Sequence, residues 1–99
     1  MKKLIKAGNA KQYDAAERVA EEISDITGYS FDYDANLEDN YYEYFCIDNV
    51  ECAVSIICDG GAYYDVYFDD GVVDSFKDVK DAAELAKQLI EEYEDEEIN

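Results

Sequence analysis

The chain has 99 residues, of which 26 are acidic and 8 are basic, and its formal net charge at pH 7 is −18. Its apolar content of 48% is too high for a chain that is disordered by composition, so we expect one folded domain over residues 1–99. Eight cations cannot form a phosphate-binding surface, which argues against direct nucleic-acid binding and against an anionic membrane as the partner.

The first predicted elements are a basic lead and an amphipathic helix. Residues 1–8 are interpreted as either a short edge strand or a loose segment. A helix is predicted from residue 9 or 10 to residue 27, with Gly28 as its C-terminal stop. Its buried stripe is predicted from residues at helical spacing, namely Tyr13, Ala16, Val19, Ala20, Ile23, Ile26 and Thr27.

The middle of the chain alternates apolar and polar residues, which predicts antiparallel strands. After an acidic loop over 34–40, strands are predicted over 41–47 and 50–58, joined by a two-residue turn at Asp48-Asn49. Two further strands are predicted over 62–69 and 72–76, joined at Asp70-Gly71.

The tight turn at Asp48-Asn49 decides which residues share a sheet face. It pairs Phe45 with Cys52 and predicts an apolar face made of Phe45, Ile47, Cys52, Val54, Ile56 and Cys58. The opposite face is then predicted to carry Tyr42, Tyr44, Ser55, Tyr63, Asp65, Tyr67 and Asp74.

The last predicted element is a helix that Asp78 caps and that runs to Tyr93, followed by an acidic tail over 94–99. Its apolar stripe consists of Val79, Ala82, Ala83, Ala86, Leu89, Ile90 and Tyr93. We therefore predict an α+β two-layer domain in the order helix, three- or four-stranded antiparallel sheet, helix, with both helices on one sheet face.

The stretch between Arg18 and Lys77 contains no Lys, Arg or His but holds fifteen acidic residues and eight tyrosines. Carboxylates can bind arginine in a bidentate fashion and tyrosine rings can stack on guanidinium groups, so this composition favours a surface for a basic partner. The high strand propensity of tyrosine is the alternative explanation for the aromatic residues. The candidate partner-binding residues are Asp65, Asp69, Asp70, Asp74, Tyr42, Tyr44, Tyr63 and Tyr67.

Catalysis and cofactor binding are not predicted. The chain has no His and no glycine-rich phosphate loop before a helix, so we expect neither an enzyme nor a cofactor. A calcium alternative rests on EF-hand spacing, although Leu37 occupies the position that needs Gly. Its ligands would be Asp32, Asp34, Asn36, Glu38, Asn40 and Glu43. The cysteines, Cys46, Cys52 and Cys58, are expected to be reduced, buried thiols of a cytoplasmic protein.

The Asp59-Gly60 turn and the acidic run 92–97 resemble features of small phage-encoded proteins that imitate DNA, and most of all those of type II-A anti-CRISPR inhibitors of Cas9. The resemblance covers residues 54–97. It implies action in the host cytoplasm, where acidic residues would occupy the Arg and Lys groups that otherwise hold DNA. The residues that it assigns to this role are Asp59, Glu94, Asp95, Glu96 and Glu97.

Three functions remain open at this point. The leading hypothesis is an inhibitor that occupies the DNA or RNA cleft of a basic protein, such as a nuclease or a CRISPR effector. The second is an immunity protein or antitoxin that binds a basic toxin. The third is a regulatory domain whose acidity serves only solubility.

Overall fold

The computed structural model describes residues 7–48, 53–60, 63–68 and 71–98, with side chains described between Asp14 and Glu94 of those ranges. The fold is α+β, with two helices and a five-stranded antiparallel sheet, and the spatial order of the strands is their order along the chain. The elements are α1 (Ala7–Thr27), β1 (Phe31–Asn36), β2 (Tyr41–Cys46), β3 (Val54–Asp59), β4 (Tyr64–Phe68), β5 (Gly71–Phe76) and α2 (Val79–Ile98).

Strand β1 corrects the prediction of three or four strands. Its second half, residues 34–36, was predicted to belong to the acidic loop, yet Phe31 pairs with Cys46 and Asn36 pairs with Tyr41 along the whole of β2. Alternation explains the strand, because Phe31, Tyr33 and Ala35 are at least partly buried while the residues between them are exposed. The connecting loop is therefore only residues 37–40.

The register between β2 and β3 also differs from the prediction. Phe45 pairs with Ser55 and not with Cys52, so the connection is longer than a two-residue turn. The shift is three residues, an odd number, and an odd shift moves every side chain of a strand to the opposite face. Consequently Tyr44 and Cys46 are buried, whereas Phe45 is half-buried and Ile47 is 49% exposed.

Helix α1 ends as predicted. Gly28 has a φ of 79°, a conformation that suits glycine, and its N–H donates to the Ser24 carbonyl at 2.9 Å. The Ser24 hydroxyl also accepts the N–H of Phe31 at 2.9 Å, which ties the helix end to β1. The predicted stripe is confirmed at its four buried positions, Ala16, Ala20, Ile23 and Thr27; the side chain of Tyr13 lies outside the described part.

Helix α2 begins as predicted but continues through the predicted acidic tail. Asp78 caps it by accepting the N–H of Lys80 at 3.0 Å. The helix reaches Ile98 and not Tyr93. Two contacts hold its final turns: the Tyr29 hydroxyl donates to Glu94 Oε1 at 2.7 Å, and the ring of Tyr93 meets Phe68 edge to face at 6.4 Å.

The Tyr29–Glu94 contact predicts a loss of stability at alkaline pH. This hydrogen bond, together with burial and the negative charges of Glu94 and Glu91, raises the pKa of Tyr29 from 10.0 to about 12. Because the folded state holds the proton more tightly than the unfolded state, the contribution is complete below pH 10 and is lost as the pH rises through about 12.

We expect Tyr29→Phe to be less stable than the wild type at pH 8 and to converge with it by pH about 12, as measured by urea unfolding at several pH values. Tyr63→Phe, at an exposed tyrosine, serves as the matched control. A constant difference between Tyr29→Phe and the wild type from pH 8 to 12 would contradict the account.

One buried cluster joins the helices to the sheet. Strand residues Phe31, Tyr44, Ile56 and Val66 pack in it with helix residues that include Ile23, Ala82, Ala83, Ala86 and Ile90. Cys46 and Cys58 are buried within this cluster, while Cys52 lies outside the described residues. Within the described ranges, neither helix is long and apolar enough to cross a membrane.

Candidate docking face

The sheet has a second face, formed by the strand residues that alternate with the buried ones. We call it the outer face. Except for the exposed Val72, the larger residues on it are half-buried, and Asp32, Asp34 and Asp59 are exposed. It is defined by Asp32, Asp34, Asn36, Tyr41, Glu43, Phe45, Ser55, Ile57, Asp59, Asp65, Tyr67, Val72 and Ser75.

Two rows of side chains cross this face. One row runs through paired residues from β1 to β5 as Asp34, Glu43, Ile57, Asp65 and Ser75. The neighbouring row runs as Asp32, Phe45, Ser55, Tyr67 and Val72. Since adjacent strands are about 4.8 Å apart, three carboxylates lie along about 14 Å of the first row, beside aromatic rings of the second.

Tyr41 lies within the carboxylates of this face. Burial raises its pKa first, followed by the charges of Glu43, Tyr67, Asp59 and Asp34. These are the groups that the strand pairing brings around it, with Asp59 directly opposite on β3. At neutral pH the phenol therefore keeps its proton and can donate a hydrogen bond, while its neighbours accept.

The open edges of the sheet are less available to a partner than the outer face. The backbone N–H of Ile47 donates to the Ser30 carbonyl at 2.9 Å. Hydrogen-bonded and non-hydrogen-bonded pairs alternate along antiparallel strands, so this bond implies that the N–H of Tyr33 points away from β2. Asp32 Oδ1 accepts that N–H at 2.8 Å. On the other edge strand, Asp74 Oδ1 accepts the N–H of Ser75 at 2.8 Å. Aspartates that occupy edge donors hinder pairing with a strand from another chain.

The predicted site residues divide into those on the outer face and those placed elsewhere. Asp59, Asp65 and Tyr67 lie on the outer face, and Tyr63 precedes β4 with 48% exposure. The placement of Tyr42 and Tyr44 on this face is wrong, because the register shift turns both toward the buried cluster, where Tyr44 is 3% exposed.

The acidic candidates have mixed positions. Asp74 is exposed on β5 but pairs with buried Val66, so it does not belong to the outer face. Glu94 accepts a hydrogen bond from the Tyr29 hydroxyl. Asp69 and Asp70 lie outside the described residues, as do the side chains of Asp95, Glu96 and Glu97.

The residues of the calcium pattern are spread over extended structure. Asp32, Asp34 and Asn36 lie on β1, and Glu43 lies on β2 directly opposite Asp34. The remaining two, Glu38 and Asn40, are in the short loop. Among the described residues, no three Cys, Asp or Glu side chains are arranged to hold a metal ion.

Sequence reasoning missed Tyr41, Phe45 and Ile57 as members of the site. A signal for two of them was present, because Glu43 is the only charged residue within 41–47. A lone carboxylate in a strand favours the solvent face, and strand alternation then places Tyr41 and Phe45 beside it.

The arrangement can bind cations by two kinds of contact at once. Asp34, Glu43 and Asp65 can accept hydrogen bonds from Arg or Lys, and Phe45 and Tyr67 offer ring faces for stacking. Comparison with known proteins adds no family to this picture: the chain matches no protein-family model, no curated protein and no solved structure.

Proposed function

We propose that this chain is an acidic binding protein that inhibits a nucleic-acid-binding enzyme by occupying its basic cleft. The role is binding without catalysis, and the expected target is a nuclease. In this proposal both helices cover the same sheet face as a second layer, so the outer face remains free for the target. The observation that carries the proposal is this face, where carboxylates and rings are interleaved on strands that contain no cation.

The amount of charge supports imitation of DNA. The longest dimension of the molecule is 49 Å. A duplex carries about one charge per 1.7 Å, so a duplex of 49 Å has about 29 charges, compared with a net charge of −18 here. A chain with on the order of 60% of the linear charge of DNA can compete for a cleft whose Arg and Lys residues are placed to hold phosphates.

The position of two carboxylates on the outer face favours a cationic partner, because such a partner would relieve the repulsion between them. Asp34 and Glu43 are directly opposite on neighbouring strands, and like charges in this position cost about 0.2–1 kcal/mol. A guanidinium group between them removes this repulsion and gains charge-assisted hydrogen bonds. The aspartates at the sheet edges also favour binding through the face over strand addition.

Competition with DNA tests the proposal. A labelled duplex is bound to purified restriction and CRISPR nucleases, this protein is titrated in, and the released DNA is followed by fluorescence anisotropy. We expect complete displacement from at least one nuclease, with affinity that falls steeply as salt rises. A ternary complex of nuclease, DNA and this protein, or retention of the duplex by every nuclease at saturating protein, would contradict the proposal.

A further inference from the structure

A cleft of about 210 Å³ lies between α1 and the buried face of the sheet. Helix α1 contributes Ala15, Ala16 and Val19 to its wall, and the sheet contributes three tyrosines with one cysteine between them. The sheet residues are Tyr42, Tyr44, Cys58 and Tyr64. None of them belongs to the outer face, so the cleft is separate from the proposed docking face.

Strand register explains why the cleft exists. Tyr42 pairs with Cys58, and Cys58 pairs with Tyr64, so a small thiol lies between two aromatic rings on consecutive strands. The backbones of Tyr42 and Tyr64 are about 10 Å apart, which is two strand spacings. Opposite them, α1 presents alanines, whose side chains are too short to fill the space.

Tyr44 is the most buried of the three tyrosines at this cleft. It lines the cleft but is only 3% exposed, so little of its surface is accessible there. Tyr42 and Tyr64 are half-buried and therefore supply most of the accessible aromatic surface.

The surroundings of the cleft are negative. Burial raises the pKa of Tyr44 and of Tyr64, and the charges of Glu22 and Asp78 raise that of Tyr64 further. The phenols are therefore protonated at neutral pH, and their ring faces present the negative side of the aromatic quadrupole. An anionic ligand would meet repulsion from both carboxylates, whereas a cation would be attracted by the carboxylates and by the rings.

We propose that this cleft binds a small organic cation of the alkylated ammonium class, held between the rings of Tyr42 and Tyr64 next to the accessible part of Tyr44. The volume of about 210 Å³ is below the roughly 300–1,000 Å³ of typical cofactor sites, so it suits one head group and not a nucleotide or a large cofactor. Aromatic side chains around a quaternary ammonium group are a known mode of cation recognition.

A pair of isosteric probes tests this assignment. Choline and its neutral carbon analogue, 3,3-dimethylbutan-1-ol, are titrated into protein with isotope-labelled tyrosines at about 0.15 M salt, which screens exposed charges. We expect choline to shift the ring signals of Tyr42, Tyr44 and Tyr64 and to bind roughly tenfold tighter than the neutral analogue. A peptide carrying trimethyllysine, compared in the same assay, separates a protein side chain from a free small molecule as the source of the head group.

Two variants test whether choline binds in the cleft. Ala15 is exposed and lines the cleft, so Ala15→Phe fills the cleft without disturbing the core, and we expect it to abolish the choline-dependent shifts. Gln88→Phe places the same ring on an exposed position of α2 and should leave them unchanged. Equal or tighter binding of the neutral analogue, shifts that survive Ala15→Phe, or no shift at the three tyrosines would each overturn the proposal.

Discussion

Replacing Asp34, Glu43 and Asp65 together by their amides is expected to weaken the binding of an oligoarginine peptide about hundredfold and at the same time to stabilise the fold. The loss of affinity follows because each amide still accepts a hydrogen bond but without the charge, which costs about 1 kcal/mol per group; three such losses give about 3 kcal/mol, and about 1.4 kcal/mol corresponds to tenfold. The gain in stability, about 1 kcal/mol or less, follows because Asp34 faces Glu43 across neighbouring strands. Isothermal titration and urea unfolding measure the two effects.

The matched control removes the same charge elsewhere. Glu17, Glu21 and Asp25 are exposed residues of α1, and their replacement by amides also takes the net charge from −18 to −15. We expect this control to lower oligoarginine affinity only about two- to threefold, through the weaker long-range field. Equal losses in the two triple variants would mean that net charge alone decides binding and that the outer face has no special role.

Truncating two adjacent aromatic residues should give very different stabilities. Tyr44→Ala is expected to lower the free energy of unfolding by about 3–5 kcal/mol, because truncating a large ring within a packed core leaves a cavity. Phe45→Ala is expected to cost about 1 kcal/mol, because its ring is only half-buried on the outer face. Urea unfolding of both variants provides the measurement, and the register that pairs Phe45 with Cys52 predicts the reverse order.

The β2–β3 connection shows how the prediction of one short turn affected the predicted site. A turn at Asp48-Asn49 is the shortest way to join two strands and fits the local turn preferences. The structure uses a longer connection, in which Ala53 adopts a φ of 55°. Because the shift is odd, the outer face carries Tyr41 and Phe45 and not the predicted Tyr42 and Tyr44. The charge of Glu43 already indicated which side of that strand faces solvent.

Elements with strong local signals were predictable. The Asp78 cap and the apolar stripe of α2, the Gly28 stop and the alternation of Tyr64, Val66 and Phe68 are all confirmed. Elements that depend on distant partners were not. Strand β1 is rich in acids and becomes a strand by pairing with β2, and the last turns of α2 are tied down by Tyr29, 65 residues earlier. The periodicity of apolar residues along the sequence gives no information about contacts between distant residues.

The central claim is that the outer face, and not the acidic surfaces of α1 and α2, receives the Arg and Lys residues of the target protein. Amide chemical shifts of the protein titrated with an oligoarginine peptide at about 0.15 M salt test it directly. We expect the largest changes at Tyr41, Glu43, Ile57 and Tyr67, in the middle of the sheet. Changes concentrated on the exposed acids of α1 and α2, or spread evenly over all acidic residues, would contradict it.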